Sequence, residues 1–314
     1  SEEGQIREAV TDPTAPGFEA FVEQTWSMLF ITEDRLGRLV QVAVAAVTDR
    51  QSGGGTVLLV PPELEAEGCR SSPCRLDTAY GEGGADSLRV EVVDLLGIEF
   101  TEVALLTPAR WATLIEPVAP VAVSIQRDLV ETDADGTTVV RYPAGTVLVA
   151  ADDAVRFMAF SDDRGFGDRS QREGEFWRAW LELIRDGGDN GVGLPEIDLP
   201  VVAVSRALAS GAVMVLDSVW ADSSEGVVVD QPRLDRVIFD MFPFPIPSQS
   251  GQRPTVRLLN GSDDPSLDAL ALDAVRRAGA DVTVIGNFRN NHVIQTRVVY
   301  REPEMMERAT ELAA

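Results

Sequence analysis

The sequence predicts an α/β fold in which helices cover both faces of a central mixed sheet, followed by a small C-terminal α/β domain. Apolar runs of strand length alternate along the chain with longer runs of helical spacing. A proline-rich stretch at 241–254 then separates a second, shorter series of the same kind. We therefore expect four parts, namely a polar lead at 1–17, a large domain at 18–240, a linker at 241–254 and a small domain at 255–314.

The individual elements follow from these runs. The strands expected in the large domain are short and rich in β-branched or other apolar residues: 28–31, 39–48, 57–60, 121–125, 139–142 and 147–149. The expected helices have apolar residues three or four apart: one ending near Trp26, then 87–96, 110–115, 152–157 and 169–184. The small domain is expected to run strand, helix, strand, strand: 255–259, 267–278, 281–285 and 297–300.

Composition excludes several classes of function. The chain has 314 residues and a formal net charge of -24, and all its fixed positive charges are arginines. Such a surface repels nucleic acids and anionic headgroups at long range, so we expect no nucleic-acid partner. The longest apolar run is too short to cross a bilayer. Contact with a membrane would therefore need an N-terminal anchor that this chain does not contain.

Two cysteines, Cys69 and Cys74, are separated by four residues that include a proline. They can form a disulfide across a small loop or remain as two thiols, and we expect the disulfide, which favours an oxidising compartment. A structural zinc site needs about four ligands, and the chain has a single histidine, His292. We therefore expect no structural zinc.

Familiar catalytic motifs are missing from the sequence. The acidic segment 131–136 begins like a calcium loop, but the twelfth position is Tyr142 and not glutamate, so a hairpin turn is expected. A phosphate loop would need a lysine, and there is no Gly-x-Ser-x-Gly elbow. His292 lies among asparagines without a recognisable catalytic partner.

A pair of arginines is the more informative feature. Arg169 and Arg172 are three residues apart at the start of the clearest helix, so they share one face of its first turns. Two guanidinium groups beside free helical N–H groups suit a phosphate or a carboxylate. Alternatively, they pair with nearby acids, namely Asp162, Asp163 and Asp168.

Several stretches together resemble the LytR–CpsA–Psr family, in the correct order from about residue 20 to about 190. Arg169-Ser-Gln-Arg172 is similar to the arginine-rich helix start of that family, and Arg75-Leu-Asp-Thr-Ala-Tyr80 to its Lys-Ile-Asn-Ala-Ala-Tyr segment. The segments 95–100 and 142–154 match further parts of its pattern. Beyond the linker, 256–262 and 296–301 resemble the C-terminal domain, called LytR_C, that is often joined to this family.

The resemblance implies an envelope protein whose folded part lies on the extracytoplasmic face. Members of the family move a glycopolymer from a polyprenyl pyrophosphate carrier to peptidoglycan. Arginines hold the pyrophosphate, aspartates hold a magnesium ion, and an apolar pocket takes the lipid tail. The resemblance also names phosphate-binding candidates in this chain, namely Arg75, Arg164, Arg169 and Arg172.

The chain departs from the family at most of the charged positions. Gln41 replaces a metal-binding aspartate, Pro62 and Glu63 replace an arginine and an aspartate, and Ala159 and Ser161 replace two further arginines. Glu33 is the remaining metal-ligand candidate. Removing one preorganised charge costs roughly 3–4 kcal/mol of transition-state stabilisation. Several such losses together predict that no efficient transfer occurs.

Three functions remain open. The first is a degenerate, non-catalytic relative that binds or scaffolds at the envelope, with envelope proteins, a glycopolymer or a polyprenyl phosphate as partner and no cofactor. The second is an active phosphotransferase with a rewired site, which would need Mg²⁺ and would use Glu33, Glu63, Arg164, Arg169 and Arg172. The third is a lipid carrier or sensor that keeps only the apolar pocket.

Overall fold

The computed structural model describes most of the chain, namely residues 10–132, 135–161, 166–187, 193–223, 226–249, 251, 253–262, 264–289 and 292–313. These residues form two compact units. The larger unit is Thr25–Phe242, and the smaller unit combines the described parts of Ser1–Gln24 and Pro243–Ala314. Residues 18–24, which we assigned to the large domain, therefore belong with the small one.

The strands are numbered in chain order: β1 (Glu19–Phe21), β2 (Ser27–Glu33), β3 (Leu39–Val47), β4 (Gly55–Val60), β5 (Ile98–Glu99), β6 (Glu102–Leu106), β7 (Val121–Ile125), β8 (Leu129–Thr132), β9 (Thr138–Tyr142), β10 (Gly145–Val149), β11 (Val213–Leu216), β12 (Trp220–Ser223), β13 (Gly226–Val229), β14 (Ile246–Pro247), β15 (Thr255–Asn260) and β16 (Asp281–Asn287). The helices are numbered likewise: α1 (Leu76–Leu96), α2 (Pro108–Ile115), α3 (Ala154–Ala159), α4 (Phe166–Asp186), α5 (Pro200–Ala209), α6 (Gln231–Met241), α7 (Ser266–Arg277) and α8 (Met306–Ala313).

A five-stranded sheet forms the centre of the larger unit, in the order β11-β4-β3-β2-β6. The three middle strands β4, β3 and β2 are antiparallel to one another, and the outer strands β11 and β6 pair in parallel with β4 and β2. The mixed sheet predicted from the sequence is therefore confirmed. Because β2, β4, β6 and β11 all end at the same edge, the loops that follow them lie close together.

Both faces of this sheet are buried, as the nearly continuous apolar strands require. One face, which includes Phe30 and Ala45, packs with residues of α2, α3, α4 and α5. The other, which includes Leu29 and Val44, packs with residues of α1 and α6. Alternate residues of one strand therefore enter two separate cores.

Helix α1 is longer than the predicted 87–96 and begins at Leu76. It bends at Gly84, where φ is 67° and ψ is -154°, outside the helical region. The helix ends at Gly97, which is left-handed with φ 68°, and its N–H donates to the carbonyl of Val93. The segment that resembles the family's Lys-Ile-Asn-Ala-Ala-Tyr stretch therefore becomes the first turns of a helix beside the sheet edge.

The smaller unit is built on a three-stranded sheet in the order β1-β16-β15, with α7 connecting the two parallel strands β15 and β16. Two predictions are wrong here. Residues 19–21 form strand β1, where a helix ending near Trp26 was predicted, and residues 297–300 are not a strand. The reason for the first difference is tertiary, because β1 pairs with one side of β16 while β15 pairs with the other.

Two local predictions agree with the structure. Cys69 and Cys74 form a disulfide, with their Cα atoms 5.3 Å apart. Strands β8 and β9 pair antiparallel on either side of the acidic turn, as expected for a hairpin, while Asp133 and Ala134 of that turn lie outside the described residues. Within the described part of the chain, none of the helices has the length and apolar character needed to span a bilayer.

Candidate functional site

A cavity of about 480 Å³ lies at the sheet edge where β2 and β4 end and β3 begins. Its wall includes Asp34, Arg38, Arg75, Asp77, Ala159 and Arg169. We call it the edge cavity. In α/β proteins, ligands bind at this edge because the loops that follow the strands converge there. The cavity thus brings together two of the phosphate-binding candidates, Arg75 and Arg169.

Each of the three arginines in the edge cavity has a carboxylate partner in the chain. Arg38 is 2.6 Å from Asp34, and Arg75 is 2.8 Å from Asp77. Arg169 binds Glu63 through both terminal nitrogens, and its Nη1–Oε1 distance is 2.7 Å. A two-pronged pair of this kind uses the guanidinium geometry that would otherwise hold a phosphate.

Arg169 is also the most buried of the three, with 13% of its side chain exposed. Burial acts to lower the pKa of Arg169, but the hydrogen bonds to Glu63 and the nearby carboxylate of Glu173 outweigh it and raise the pKa. Glu63 is 106 residues away along the chain. Of the nearby acids that the sequence offered as partners, Asp162 and Asp163 lie outside the described residues, and the structure pairs Arg169 with the distant Glu63.

Glu173 lies one helical turn after Arg169, and its Oε1 is 3.6 Å from the guanidinium Nε. Only 3% of Glu173 is exposed, and this burial raises the pKa of its carboxyl to about 7. Arg169, the amide of Gln41 and Arg172 oppose the shift, whereas the charge of Glu63 adds to it. The group therefore titrates near neutrality inside the protein.

Gln41, which the sequence resemblance aligns with a metal-binding aspartate, is 1% exposed. Its Oε1 accepts a hydrogen bond of 3.0 Å from Trp177 Nε1. On the adjacent strand, Thr32 Oγ1 accepts a similar bond of 3.0 Å from Trp111 Nε1. The oxygen of Gln41 is thus engaged by an indole inside the core.

The remaining metal candidates do not fit Mg²⁺ either. Glu33, at the end of β2, accepts a hydrogen bond from the Tyr80 hydroxyl, and burial together with Glu33 raises the pKa of that phenol. Glu63 is held by Arg169. Across the described residues, no three or more His, Cys, Asp or Glu side chains are grouped as metal ligands. Magnesium prefers an octahedral set of oxygens that keeps several waters, and these engaged side chains do not offer one.

Arg172 lies apart from the edge cavity. It is 6% exposed, donates a hydrogen bond to the carbonyl of Phe160, and lies 5.8 Å and 5.9 Å from the ring centres of Phe157 and Phe160. Aromatic faces and a carbonyl stabilise a buried guanidinium. The two arginines that share a helix face in the sequence pattern therefore have different surroundings.

The other predicted positions are distributed around the edge cavity. Pro62 and Glu63 follow β4, Ala159 ends α3 on the cavity wall, and Ser161 is exposed just beyond it. Arg164 lies outside the described residues. Gly174 of α4 packs so closely that a Cβ atom there would lie 2.4 Å from Asp217 Oδ2.

A second polar cavity, of about 560 Å³, lies beside the first, and the sequence did not predict it. Its wall includes Arg35, Arg38, Arg141, Arg156, Asp152 and Ala159. We call it the side cavity. The sequence signal is faint, since only the Asp-Arg-Leu-Gly-Arg turn at 34–38 shows two arginines together. Arg141 comes from β9, about a hundred residues later.

Aromatic side chains fill the interior between the sheet and α2–α4. Trp111, Trp177 and Trp180 are fully buried, and their rings are 5.1–5.7 Å apart. A mostly apolar cavity of about 370 Å³ lies at the β6 side of the sheet, lined by residues such as Val103 and Leu199. Among the described residues, this cavity is an apolar space that could accommodate part of a lipid.

Comparisons with known proteins agree on the fold. No family model matches the sequence, and no curated protein sequence matches it. Among solved structures, TagT bound to LIIa-WTA has a TM-score of 0.53 at 16% identity and covers 76% of this chain and 93% of that one. The LytR-Csp2A-Psr enzyme from Actinomyces oris has a TM-score of 0.51 at 20% identity, with coverages of 74% and 91%.

TagV of B. subtilis gives a TM-score of 0.50 at 14% identity, and covers 69% of this chain and 96% of that one. Identities this low establish architecture and nothing about chemistry. They agree with the motifs that the sequence presents in family order. The chain therefore has the fold of the LytR–CpsA–Psr proteins.

Proposed function

We propose that this protein is a non-catalytic relative of the LytR–CpsA–Psr glycopolymer transferases that binds or scaffolds at the extracytoplasmic face of the cell envelope. One observation carries the proposal. At the sheet edge, both terminal nitrogens of the Arg169 guanidinium donate hydrogen bonds to the carboxylate of Glu63. The carboxylate of this chain takes the place that a phosphate would need. The disulfide between Cys69 and Cys74 fits an oxidising compartment.

The electrostatics of the edge cavity oppose a diphosphate. An incoming pyrophosphate would have to displace Glu63 from Arg169 and approach Asp34 and Asp77, which are already paired with Arg38 and Arg75. Phosphoryl transfer depends on positioning and on neutralising the phosphate charge. With Gln41 bonded to Trp177, the site also lacks the carboxylate that the family uses for magnesium. Binding without transfer is the behaviour these residues favour.

The test is a transfer assay with a polyprenyl pyrophosphate-linked saccharide, Mg²⁺ and a peptidoglycan fragment. We expect product at the background rate for the wild type and for Arg169→Gln. Arg185→Gln is the matched control, because Arg185 is an exposed arginine at the end of α4 that pairs only locally. Magnesium-dependent turnover that Arg169→Gln abolishes and Arg185→Gln preserves would overturn the proposal.

The rewired phosphotransferase is the second candidate. It is favoured by the convergence of Arg38, Arg75 and Arg169 on one cavity. It requires Glu33 and Glu63 to leave their present partners and bind Mg²⁺, with help from Arg164 and Arg172. Calorimetric titration with Mg²⁺ and inorganic pyrophosphate separates the two ideas, because only the rewired site would show binding of pyrophosphate that depends on magnesium.

The lipid carrier or sensor is the third candidate, and the apolar cavity near β6 favours it. The buried tryptophans argue against a deep tunnel through the core, because they fill the space between sheet and helices. Organic extraction of the purified protein followed by mass spectrometry decides this point. A stoichiometric polyprenyl or acyl lipid would support the carrier, and its absence would remove it.

The smaller unit carries a separate proposal. We assign the predicted domain at 255–314 to the LytR_C type on the resemblance of 256–262 and 296–301. The parallel strands β15 and β16 connected by α7 support an α/β module of that size. We propose that it serves contacts with other envelope components.

A further inference from the structure

The outer strands of a sheet expose N–H and C=O groups that pair with other chains unless the edge is protected. In the larger unit, an arginine side chain bonds a carbonyl of each outer strand. Arg110 Nη1 donates to the carbonyl of Leu105 in β6 at 2.7 Å. Arg178 Nη2 donates to the carbonyl of Val215 in β11 at 3.1 Å. In the smaller unit, β15 is an outer strand, and the chain returns to its outer edge after β16.

The return to this edge occurs at Val293. The carbonyl of Asn260 accepts a hydrogen bond from the N–H of Phe288, just after β16, so it points toward that strand. Successive carbonyls of a strand point to opposite sides, so the carbonyl of Gly261 points outward. It accepts a hydrogen bond of 3.0 Å from the N–H of Val293. A Cβ atom at Gly261 would lie 2.7 Å from Val293 Cγ2, so the glycine makes room for this approach.

Residues 294–300, which we call the strap, follow directly after this anchor. They read Ile-Gln-Thr-Arg-Val-Val-Tyr and do not belong to a strand. Ile294 is 98% exposed and Val299 is 85% exposed. Burial of large apolar side chains lowers the free energy of a protein in water. The strap therefore gains stability if its apolar residues pack against the sheet beside it.

The bond between Val293 and Gly261 fixes the register that an antiparallel strap would have. Every second residue of the strap then lies opposite a residue of β15 whose backbone groups point outward. These pairs are Gln295 with Leu259, Arg297 with Arg257, and Val299 with Thr255. Their N–H and C=O groups would form the ladder that β15 lacks on this side.

The same register divides the strap's side chains between the two faces of the sheet. Helix α7 lies on the face of Asn260, because Asn260 Nδ2 donates to Asp268 Oδ1 at 2.8 Å. The opposite face carries Arg257, which is exposed. The side chains that fall on the α7 face are mostly apolar, namely Ile294, Thr296, Val298 and Tyr300. A shift of one residue would move all of them to the exposed face, so the alternation of the strap fits this register.

One contact in this register is unfavourable. Arg297 would lie directly opposite Arg257, whose guanidinium binds Glu19 of β1. Like charges that face each other across two strands weaken the pairing. Because burial of the apolar side chains favours pairing and this repulsion opposes it, the strap can open and close without unfolding the unit.

We propose that residues 294–300 are a strap that pairs antiparallel with the outer edge of β15 in the same chain, and that the structure shows its open state. In the open state, β15 can accept an extended segment of another chain. In the closed state, the strap occupies that edge. The inference concerns the smaller unit alone and goes beyond the proposed function, because it holds whether or not the larger unit is catalytic.

The experiment is amide hydrogen exchange of the full chain, measured residue by residue by NMR. We expect the N–H groups of Gln295, Arg297 and Val299 to exchange about tenfold or more slowly than in a free peptide of residues 293–301. The N–H groups between them, which would point away from β15, should be less protected. The protection should not change with protein concentration, because both partners belong to one chain.

Two adjacent valines provide the matched control. Val298→Asp places a carboxylate on the α7 face and should lower the protection of the strap about tenfold. Val299→Asp makes the same change on the exposed face and should alter the protection less than about twofold. Thermal unfolding of both variants checks that the fold is intact.

A second pair of variants tests the register by a gain of protection. Arg297→Glu places opposite charges across from each other at Arg257 and should raise the protection about threefold or more. Arg308→Glu makes the same change of charge at an exposed position in α8 and should leave the protection unchanged. Because the first variant is expected to increase protection, a damaged fold cannot imitate the result.

Three outcomes would overturn the inference. The first is exchange of the strap at the rate of the free peptide. The second is an equal effect of the two valine variants or of the two arginine variants. The third is protection that increases with protein concentration, which would mean that the strap pairs with a second copy of the chain.

Discussion

Arg172 and Arg141 are the same residue type on the same domain, yet their surroundings are opposite. Arg172 is buried, donates to the carbonyl of Phe160 and lies against two aromatic rings. Arg141 is exposed on the wall of the side cavity and has no ion-pair partner among the described residues. Arg169 lies between these extremes, largely buried and clamped by Glu63. An arginine whose partners come from its own chain stabilises the fold, and one without such partners is available to a ligand.

The largest effect that we expect is a loss of stability when the buried Arg172 is replaced. Arg172→Ala removes a buried charge next to Glu173 and leaves the carbonyl of Phe160 without its donor. Breaking such a buried arrangement costs about 3 kcal/mol of unfolding free energy. Urea unfolding measures it, with Arg185→Ala as the exposed control. A loss as small as that of the control would mean that Arg172 is not structural.

The second effect concerns how the stability of the protein depends on pH through Glu173, the neighbour of Arg172. The pKa of Glu173 is about 7 in the folded protein and near 4.5 as an ordinary glutamate, so the folded state holds the proton more tightly. The wild type must then lose stability as pH rises from about 4.5 through 7. Glu173→Gln cannot titrate and is spared that loss.

The stability of Glu173→Gln relative to the wild type should therefore increase by about 2 kcal/mol between pH 5 and pH 8. Chemical unfolding of both proteins at the two pH values measures it. Using the difference between the variants cancels the other titrating groups. A difference that stays constant, or that falls with pH, would show that Glu173 is ionised throughout this range.

The third prediction concerns a variant in which Arg169 loses its carboxylate partner Glu63 and becomes available to a ligand. Glu63→Ala removes the carboxylate that clamps Arg169 and should make its guanidinium available at the edge cavity. We expect the affinity for inorganic pyrophosphate to rise about tenfold over the wild type. Glu65→Ala, an exposed acid two residues away, is the control for net charge. Calorimetry that finds equal affinities for all three proteins would show that Glu63 does not block the site.

The smallest effect on stability is expected for the exposed arginines Arg35 and Arg141. Arg35→Ala with Arg141→Ala should change the unfolding free energy by less than about 0.5 kcal/mol, because neither side chain makes a contact that folding depends on. Thermal unfolding beside the wild type measures it. A marked loss of stability would mean that these arginines stabilise the fold, and the contrast with Arg172 would disappear.

The alternation of strand and helix patterns predicted the mixed sheet, the helices on both faces and the acidic hairpin turn, whereas strand β8, which forms one arm of that hairpin, was not predicted. Such predictions succeed because local spacing and burial of the sheet faces depend on residues close in sequence. The disulfide between Cys69 and Cys74 was predictable for the same reason. The order of family motifs added the fold type.

The sequence alone thus determined the mixed α/β architecture and the acidic character, and it predicted the positions where family charges are missing. Only the tertiary structure decided that Glu63 clamps Arg169, that Gln41 bonds to Trp177, and that β1 joins the small sheet. Arg35 and Arg141 likewise meet on one cavity wall only through folding. The physical reason is that these partners are far apart along the chain. Their pairing depends on where strands and helices from remote segments end, and local sequence patterns do not contain that information.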